Sequence, residues 1–303
     1  LANTLPRQGR LALSPMLNQE GKLIGDFTVG RLDDRRFFIF GSGMGEQYHM
    51  RWFEAHLPAD AGVKVQAHGM GLLGLSIAGL KARELLSRLT DDDVSAEAFR
   101  FMDFRQMSLG MIPALVGRVS FTGDLGYEFW VRPEFHARLW DDILEKGKDL
   151  GIRPFGSRAM RSMSLEKGFG SWATEYRPIY GPFAAGMGRF VSLNKGEFIG
   201  RESALLENEQ GPEKNLVTFT VDVADCDVMG NEPIYQNDKI VGYVTSGMYS
   251  HFVDQSVALG YVPADLANHT GSGAFESEIL GDMRPATIVP QALFDPDASR
   301  MRG

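Results

Sequence analysis

The alternation of apolar and polar positions divides the chain into two regimes. Up to about residue 205, strand-like and helix-like periods interleave, whereas beyond residue 212 only short β-type runs remain. The first feature is a hairpin: 11–17 is apolar, Asn18-Gln19-Glu20-Gly21 has turn chemistry, and 23–32 alternates. Asp33-Asp34 predicts a second turn before a β-rich run over 36–40. From Glu46 onward, Tyr48, Trp52, Phe53 and Leu57 fall close to a helical period. The runs 63–67 and 72–78 read as strands, and 80–89 as a helix with Leu80, Leu85, Leu86 and Leu89 on one face. Strands are predicted over 112–121 and 127–131, around the turn Thr122-Gly123-Asp124. Phe135, Leu139, Trp140, Ile143 and Leu144 form an amphipathic stripe behind Pro133, and a further helix is predicted over 157–167, ended by Gly168.

The polar stretch Glu207-Asn208-Glu209-Gln210-Gly211-Pro212 is predicted as a linker. Beyond it, 216–221, 240–245, 257–262 and 275–280 are short β runs with little helical periodicity, which predicts a small barrel or sandwich. The expected fold class is α+β: a domain of mixed sheets and helices over 1–205, followed by a small β-barrel domain over 212–303.

Composition narrows the function. Lys and Arg are scattered and the net charge is −8, which disfavours a nucleic-acid partner. No apolar run is long enough to cross a bilayer, and the N-terminal residues carry no signal-peptide core. A cytoplasmic location is therefore expected, or the mitochondrial matrix in a eukaryote, with no membrane partner. The single cysteine, Cys226, rules out an internal disulfide and a thiolate zinc site, and is expected to be a small buried hydrophobe. The six histidines show no ligand spacing, so no metal is expected. The first residue is Leu, which raises the expectation of a fragment or a processed chain.

Two glycine clusters invite a nucleotide reading. Gly69-Met70-Gly71-Leu72-Leu73-Gly74 fits G-x-G-x-x-G, but a strand-like run follows where a dinucleotide site needs a helix. Gly41-Ser42-Gly43-Met44-Gly45 does lie between a strand and a helix, so its amides could hold an anion. It lacks a ribose-binding acid at the required distance, and a plain strand-to-helix turn is the simpler account. Thr122-Gly123-Asp124-Leu125-Gly126-Tyr127-Glu128 is more informative. Glu128 stands between the aromatics Tyr127 and Phe129, and burying a carboxylate there is costly unless donors meet it. A carboxylate suits a flat heterocycle that offers two parallel N–H groups, as a pterin does. The alternative is an exposed glutamate on an edge strand.

Several ordered blocks resemble the glycine cleavage T-protein (aminomethyltransferase) family. They are Pro15-Met16-Leu17-Asn18 with Gly25-Asp26-Phe27-Thr28-Val29, the segment from Ser120 to Glu128, Leu165-Glu166-Lys167-Gly168, Pro182-Phe183, Leu193-Asn194-Lys195 with Phe198-Ile199-Gly200-Arg201-Glu202, and Thr245-Ser246-Gly247. The resemblance runs from about residue 11 to 288. It is strongest to the branch formed by the C-terminal portions of dimethylglycine dehydrogenase and its sarcosine-oxidising relatives. That resemblance implies a tetrahydrofolate-binding domain. A separate FAD domain, not present in this chain, would oxidise an N-methyl amine to an iminium, and the folate domain would capture the one-carbon unit as 5,10-methylene-tetrahydrofolate.

The same resemblance implies Asp26 as the catalytic acid, and Glu128, Tyr127 and Trp172 around the folate. The family hairpin has two consecutive acids, and here Gly25 replaces the first. Phe121 replaces the family tyrosine of the turn, and Met160 stands where the family has an arginine, with Arg158 and Arg161 beside it. Asp26 could also be a surface hairpin residue, and Trp172 a core aromatic. Two alternatives keep the fold. One is a flavin-independent tetrahydrofolate-dependent demethylase acting on a sulfonium or aryl ether. The other is a non-catalytic folate-binding protein with a Cys motif, which Phe198-Ile199-Gly200-Arg201-Glu202 lacks.

Overall fold

The computed structural model describes residues 1–60, 62–223 and 225–303. Strands β1 (Arg10–Leu17), β2 (Leu23–Arg31) and β3 (Phe37–Phe40) form an antiparallel sheet in that order. Helix α1 (Glu46–His56) follows, then β4 (Leu73–Ala78) and α2 (Ala82–Leu89). Next come β5 (Phe104–Leu109), β6 (Ile112–Gly117), β7 (Gly126–Val131), α3 (Pro133–Lys146) and α4 (Ser157–Glu166). A second antiparallel sheet has the order β4-β7-β6-β5. Helix α5 (Arg201–Gln210) leads into β8 (Lys214–Val221), β9 (Pro233–Gln236), β10 (Lys239–Ser250), β11 (Gln255–Pro263), β12 (Phe275–Ile279) and β13 (Asp282–Val289). These six strands close into a barrel, β10-β11-β8-β13-β12-β9, and a short helix α6 (Ser299–Arg302) ends the chain. The α+β class and the barrel are as the sequence predicts, and closure leaves the barrel no open edge.

Two sheet faces are filled by side chains at alternate positions. On the second sheet, Tyr127, Phe129 and Val131 of β7 pack with Ala114 and Val116 of β6 under Leu85, Leu86 and Leu89 of α2 and Leu139 and Ile143 of α3. On the first sheet, Phe27 and Val29 pack with Met16 and Ile24 beside Trp52 and Phe53 of α1. Helix α4 joins the two halves, with Leu165 packed on Val257 and Leu259 of β11.

Several expected elements differ. Residues 63–67 alternate but pair with no strand. The strand expected over 112–121 ends at Gly117; beyond it the Arg118 amide donates to the Asp103 carbonyl at 2.9 Å and its guanidinium to the Phe99 carbonyl at 2.8 Å. The predicted linker is mostly the last turn of α5, where the Glu207 carboxylate accepts from the amides of Phe183 and Ala184 at 3.3 Å each. Leu80 is exposed ahead of α2 rather than on its buried face. Cys226 is half-buried at the margin of the barrel core, not fully inside it. The glycines of 69–74 form a short 3-10 turn that opens into β4, not into a helix, and those of 41–45 form the turn between β3 and α1.

Candidate active site

The hairpin register fixes Asp26. It pairs with Pro15, and two residues on Thr28 pairs with Phe40 of β3, so Asp26, Thr28 and Phe40 share one sheet face. Phe27 and Gly25 take the other. A Cβ at Gly25 would lie 2.8 Å from Phe27 Cζ and 3.3 Å from His49 Nε2, so that face has no room for a second acid. Burial pushes the Asp26 carboxyl up to about 7; its own amide opposes the shift and the negative Glu175 adds to it.

Glu128 lies on the central strand β7 between Ser76 of β4 and Gly117 of β6. The edge-strand alternative is therefore excluded. Its cross-strand neighbours Ser76 and Gly117 are small, and the Trp130 ring on the same face lies over Gly117, where a Cβ would fall 3.2 Å from Trp130 Cζ3. Burial alone pushes Glu128 up to about 7, and among the described residues no donor is bonded to it.

The two carboxylate faces meet along an aromatic seam. Trp130 shares the face of Glu128, and Phe40 shares that of Asp26. Their rings stack with centroids 4.0 Å apart and an interplanar angle of 21°. Phe104 packs edge-on against both, at 5.8 Å from Phe40 and 6.1 Å from Trp130. Tyr127 does not join this seam. Alternation turns it to the opposite face of β7, where it is fully buried and stacked on Phe99 at 5.8 Å. Its side chain is thus on the sheet face opposite Glu128.

Trp172 stands at the other end, edge-on to His49 at 4.9 Å and tilted over Tyr48 at 5.5 Å. Its indole N–H is buried without a partner. His49 donates from Nε2 to the Ile24 carbonyl at 2.8 Å, and burial, against that bond, lowers its pKa.

Sequence reasoning missed the polar node behind Asp26. The Glu175 carboxylate is fully buried and accepts from Arg161 at 2.8 Å, the Ser171 amide at 2.8 Å, Thr174 at 2.5 Å, Thr245 at 2.8 Å and Ser246 at 2.6 Å. Burial opposes its ionisation, but Arg161 and these donors outweigh burial and hold the pKa low. Arg161 also donates to Ser246 at 2.7 Å, so the pair ties α4 to strand β10 of the barrel. Arg158, its neighbour in the sequence, is exposed. The buried Tyr176 hydroxyl accepts from the Gly170 amide at 3.2 Å, and burial with the nearby Asp26 charge raises its pKa. No group of acids, histidines and cysteines able to hold a metal occurs among the described residues. Among them, too, no helix is long and apolar enough to cross a membrane.

The site thus consists of a carboxylate on each of two antiparallel sheets in an α+β body, backed by a closed barrel. Residues 1–195 match the family described as the GCVT N-terminal domain, and 214–295 match the glycine cleavage T-protein C-terminal barrel domain. The chain belongs to the glycine cleavage T-protein family. It is 34% identical to mitochondrial dimethylglycine dehydrogenase of Homo sapiens over 99% of this chain, but spans only 35% of that protein's length. It is 31% identical to an aminomethyltransferase of Caldanaerobacter subterraneus, over 83% of this chain and 67% of that protein. The solved structure of the glycine cleavage system aminomethyltransferase T from Bartonella henselae superposes with a TM-score of 0.83 at 21% identity, covering 96% of this chain and 78% of that one.

Proposed function

We propose that this chain binds tetrahydrofolate along the Phe40–Trp130 seam and captures a one-carbon unit from an oxidised N-methyl amine of the dimethylglycine or sarcosine type, forming 5,10-methylene-tetrahydrofolate. The reading rests on one observation above the rest: two desolvated carboxylates, each with a pKa near 7, on faces joined by stacked aromatics. Desolvated carboxylates with perturbed pKa values cluster at functional sites.

The residues present fit a reduced pterin. Glu128 is an acceptor without donors, flanked across the strands by Ser76 and Gly117 and along its own by the Trp130 ring, and a flat ring with two parallel N–H groups would satisfy it. Trp172 offers an unpartnered indole N–H and an apolar wall. The folate supplies the nucleophilic nitrogen that accepts the carbon. Asp26, poised near 7, stabilises positive charge on the bound amine and takes a proton at its carboxylate oxygen as nitrogen attacks carbon. Holding both reactants against the two joined faces adds the advantage of proximity. The Arg161–Glu175 node ties α4 to the barrel, and the Glu175 charge adds to the rise in the Asp26 pKa that burial causes.

In this reading the amine is oxidised on an FAD domain outside this chain. A methylated sulfonium or aryl ether donor would need no such domain. The similarity to dimethylglycine dehydrogenase over 99% of this chain favours the amine. Calorimetric titration with tetrahydrofolate, NAD and FAD tests the proposal. Saturable binding of tetrahydrofolate alone is expected, and nucleotide binding without folate binding would overturn it.

A further inference from the structure

Residues 294–302 do not trail off the barrel. They run back across the α/β body and grip the turn that precedes β7. The Arg300 guanidinium meets the Asp124 carboxylate through two bonds, Nη2 to Oδ2 at 2.7 Å and Nε to Oδ1 at 3.2 Å. The same Asp124 Oδ1 accepts from the Leu125 amide at 2.8 Å, immediately before β7 begins at Gly126. Asp295 binds the Lys167 ammonium at 3.0 Å, and both side chains are almost wholly buried, at 3% and 4% exposed. It also organises its own segment, accepting from Ser299 Oγ at 2.9 Å and the Arg300 amide at 3.1 Å. The Lys167 stem in turn lies against Gly123, where φ is +77° and a Cβ would fall 2.6 Å from Lys167 Cγ. The buried Arg118 donates to the Arg302 carbonyl at 2.7 Å. Phe294 completes the grip, with its ring under the Arg300 guanidinium at 4.7 Å and its amide on the Glu166 carbonyl at 3.0 Å.

We propose that this C-terminal segment is a latch on the 122–126 turn that sets the position of Glu128, with Arg300 as a positioning residue acting through Asp124. The proposal rests on the reading that Glu128 holds the folate. Glu128 is the third residue of β7, so the conformation fixed at Asp124 and Leu125 enters its strand within one pleat. A bidentate guanidinium–carboxylate pair fixes orientation as well as distance, which a lysine at the same place reproduces only in part.

The test uses the full chain with Arg300→Gln, Asp124→Asn, the double variant and Arg300→Lys. Arg88→Gln, which breaks the exposed pair to Asp149 at 2.6 Å, serves as the control. Tetrahydrofolate binding is measured by calorimetry well below the melting transition, and amide exchange at 125–128 is measured without ligand. Each single variant should raise Kd about 3- to 10-fold. The double should be no worse than the worse single, and Arg300→Lys should recover part of the loss. Exchange at 125–128 should quicken in Arg300→Gln and not in Arg88→Gln. Unchanged exchange and unchanged Kd in a folded Arg300→Gln overturn the latch. A parent chain that does not bind tetrahydrofolate overturns the functional reading instead, and exchange then decides the latch by itself.

Discussion

The Trp130 indole stacks on the Phe40 ring at 4.0 Å, and this contact joins the sheet that carries Glu128 to the sheet that carries Asp26. Neither ring is an ordinary core residue: both are half-buried, with Phe104 edge-on beneath them. An aromatic pair contributes about 0.5–1.5 kcal/mol beyond the area it buries. Phe40→Leu keeps an apolar side chain but loses the stack. It should lower stability by about 1 kcal/mol in denaturant titration and weaken tetrahydrofolate binding by more than that loss alone would, because two faces lose their alignment. An unchanged dissociation constant in the folded variant would mean that the faces are aligned by something else.

Under the proposed function, Glu128 sets the pH dependence of tetrahydrofolate binding. With no ligand its carboxyl is held near 7, so at pH 6 most molecules carry a neutral acid that cannot accept two N–H bonds. Affinity should therefore fall about tenfold per pH unit below 7 and level off above it. Glu128→Gln should weaken binding by about 1.5–3 kcal/mol, roughly 10- to 150-fold at pH 8. The pH slope should disappear in that variant. The check is a calorimetric series from pH 5.5 to pH 8.5, values of about the range in which a group near 7 titrates.

The Arg161–Glu175 pair predicts a stability effect. Glu175 is fully buried and Arg161 is 21% exposed, so removing one partner leaves a charge in low dielectric. Glu175→Ala should cost about 3–5 kcal/mol. Pairing it with Arg161→Met should recover much of that loss, since the stranded charge is gone. Thermal melts of the two singles and the double form the cycle. Strict additivity would show that the two groups do not act as a pair.

Part of this organisation is legible in the chain and part is not. The hairpin that carries Asp26 shows in the alternation of 23–32, and Glu128 stands out as an acid between aromatics. The same alternation places Tyr127 opposite Glu128, so strand periodicity identifies it as a core residue even though the turn motif groups the two together. The opposite failure occurs at 63–67, where alternation is present but no strand lies beside it. Helix α5 buries only Ala204, leaving no apolar period to detect. Strand β13 carries Pro285 at a position paired with Glu276, which breaks the usual strand signature. The Glu175 node is invisible along the sequence because its partners Thr245 and Ser246 lie 70 and 71 residues away. Only the docking of α4 on the barrel brings them together.

Asp26 allows the chemistry and the fold to be tested with one substitution. Its pKa is raised from an ordinary 3.8 to about 7, so the folded chain prefers the neutral acid. That preference stabilises the fold fully below pH 4 and is lost as pH rises toward 7, where the buried group must carry charge. Asp26→Asn keeps the size and removes the charge. The variant should therefore melt higher than the parent at pH 8 and show no such advantage at pH 4. Activity should move the other way. With the amine oxidised on the proposed FAD domain, the variant should form less methylene-tetrahydrofolate and release formaldehyde instead, because the amide neither stabilises the cationic donor nor accepts the proton of the attacking folate nitrogen. A general-base contribution is typically about 100- to 10,000-fold in rate, so the ratio of methylene-tetrahydrofolate to formaldehyde per amine oxidised should fall sharply at saturating folate. A variant that gains stability at pH 8 yet keeps the parental ratio would make Asp26 a buried acid without a catalytic role.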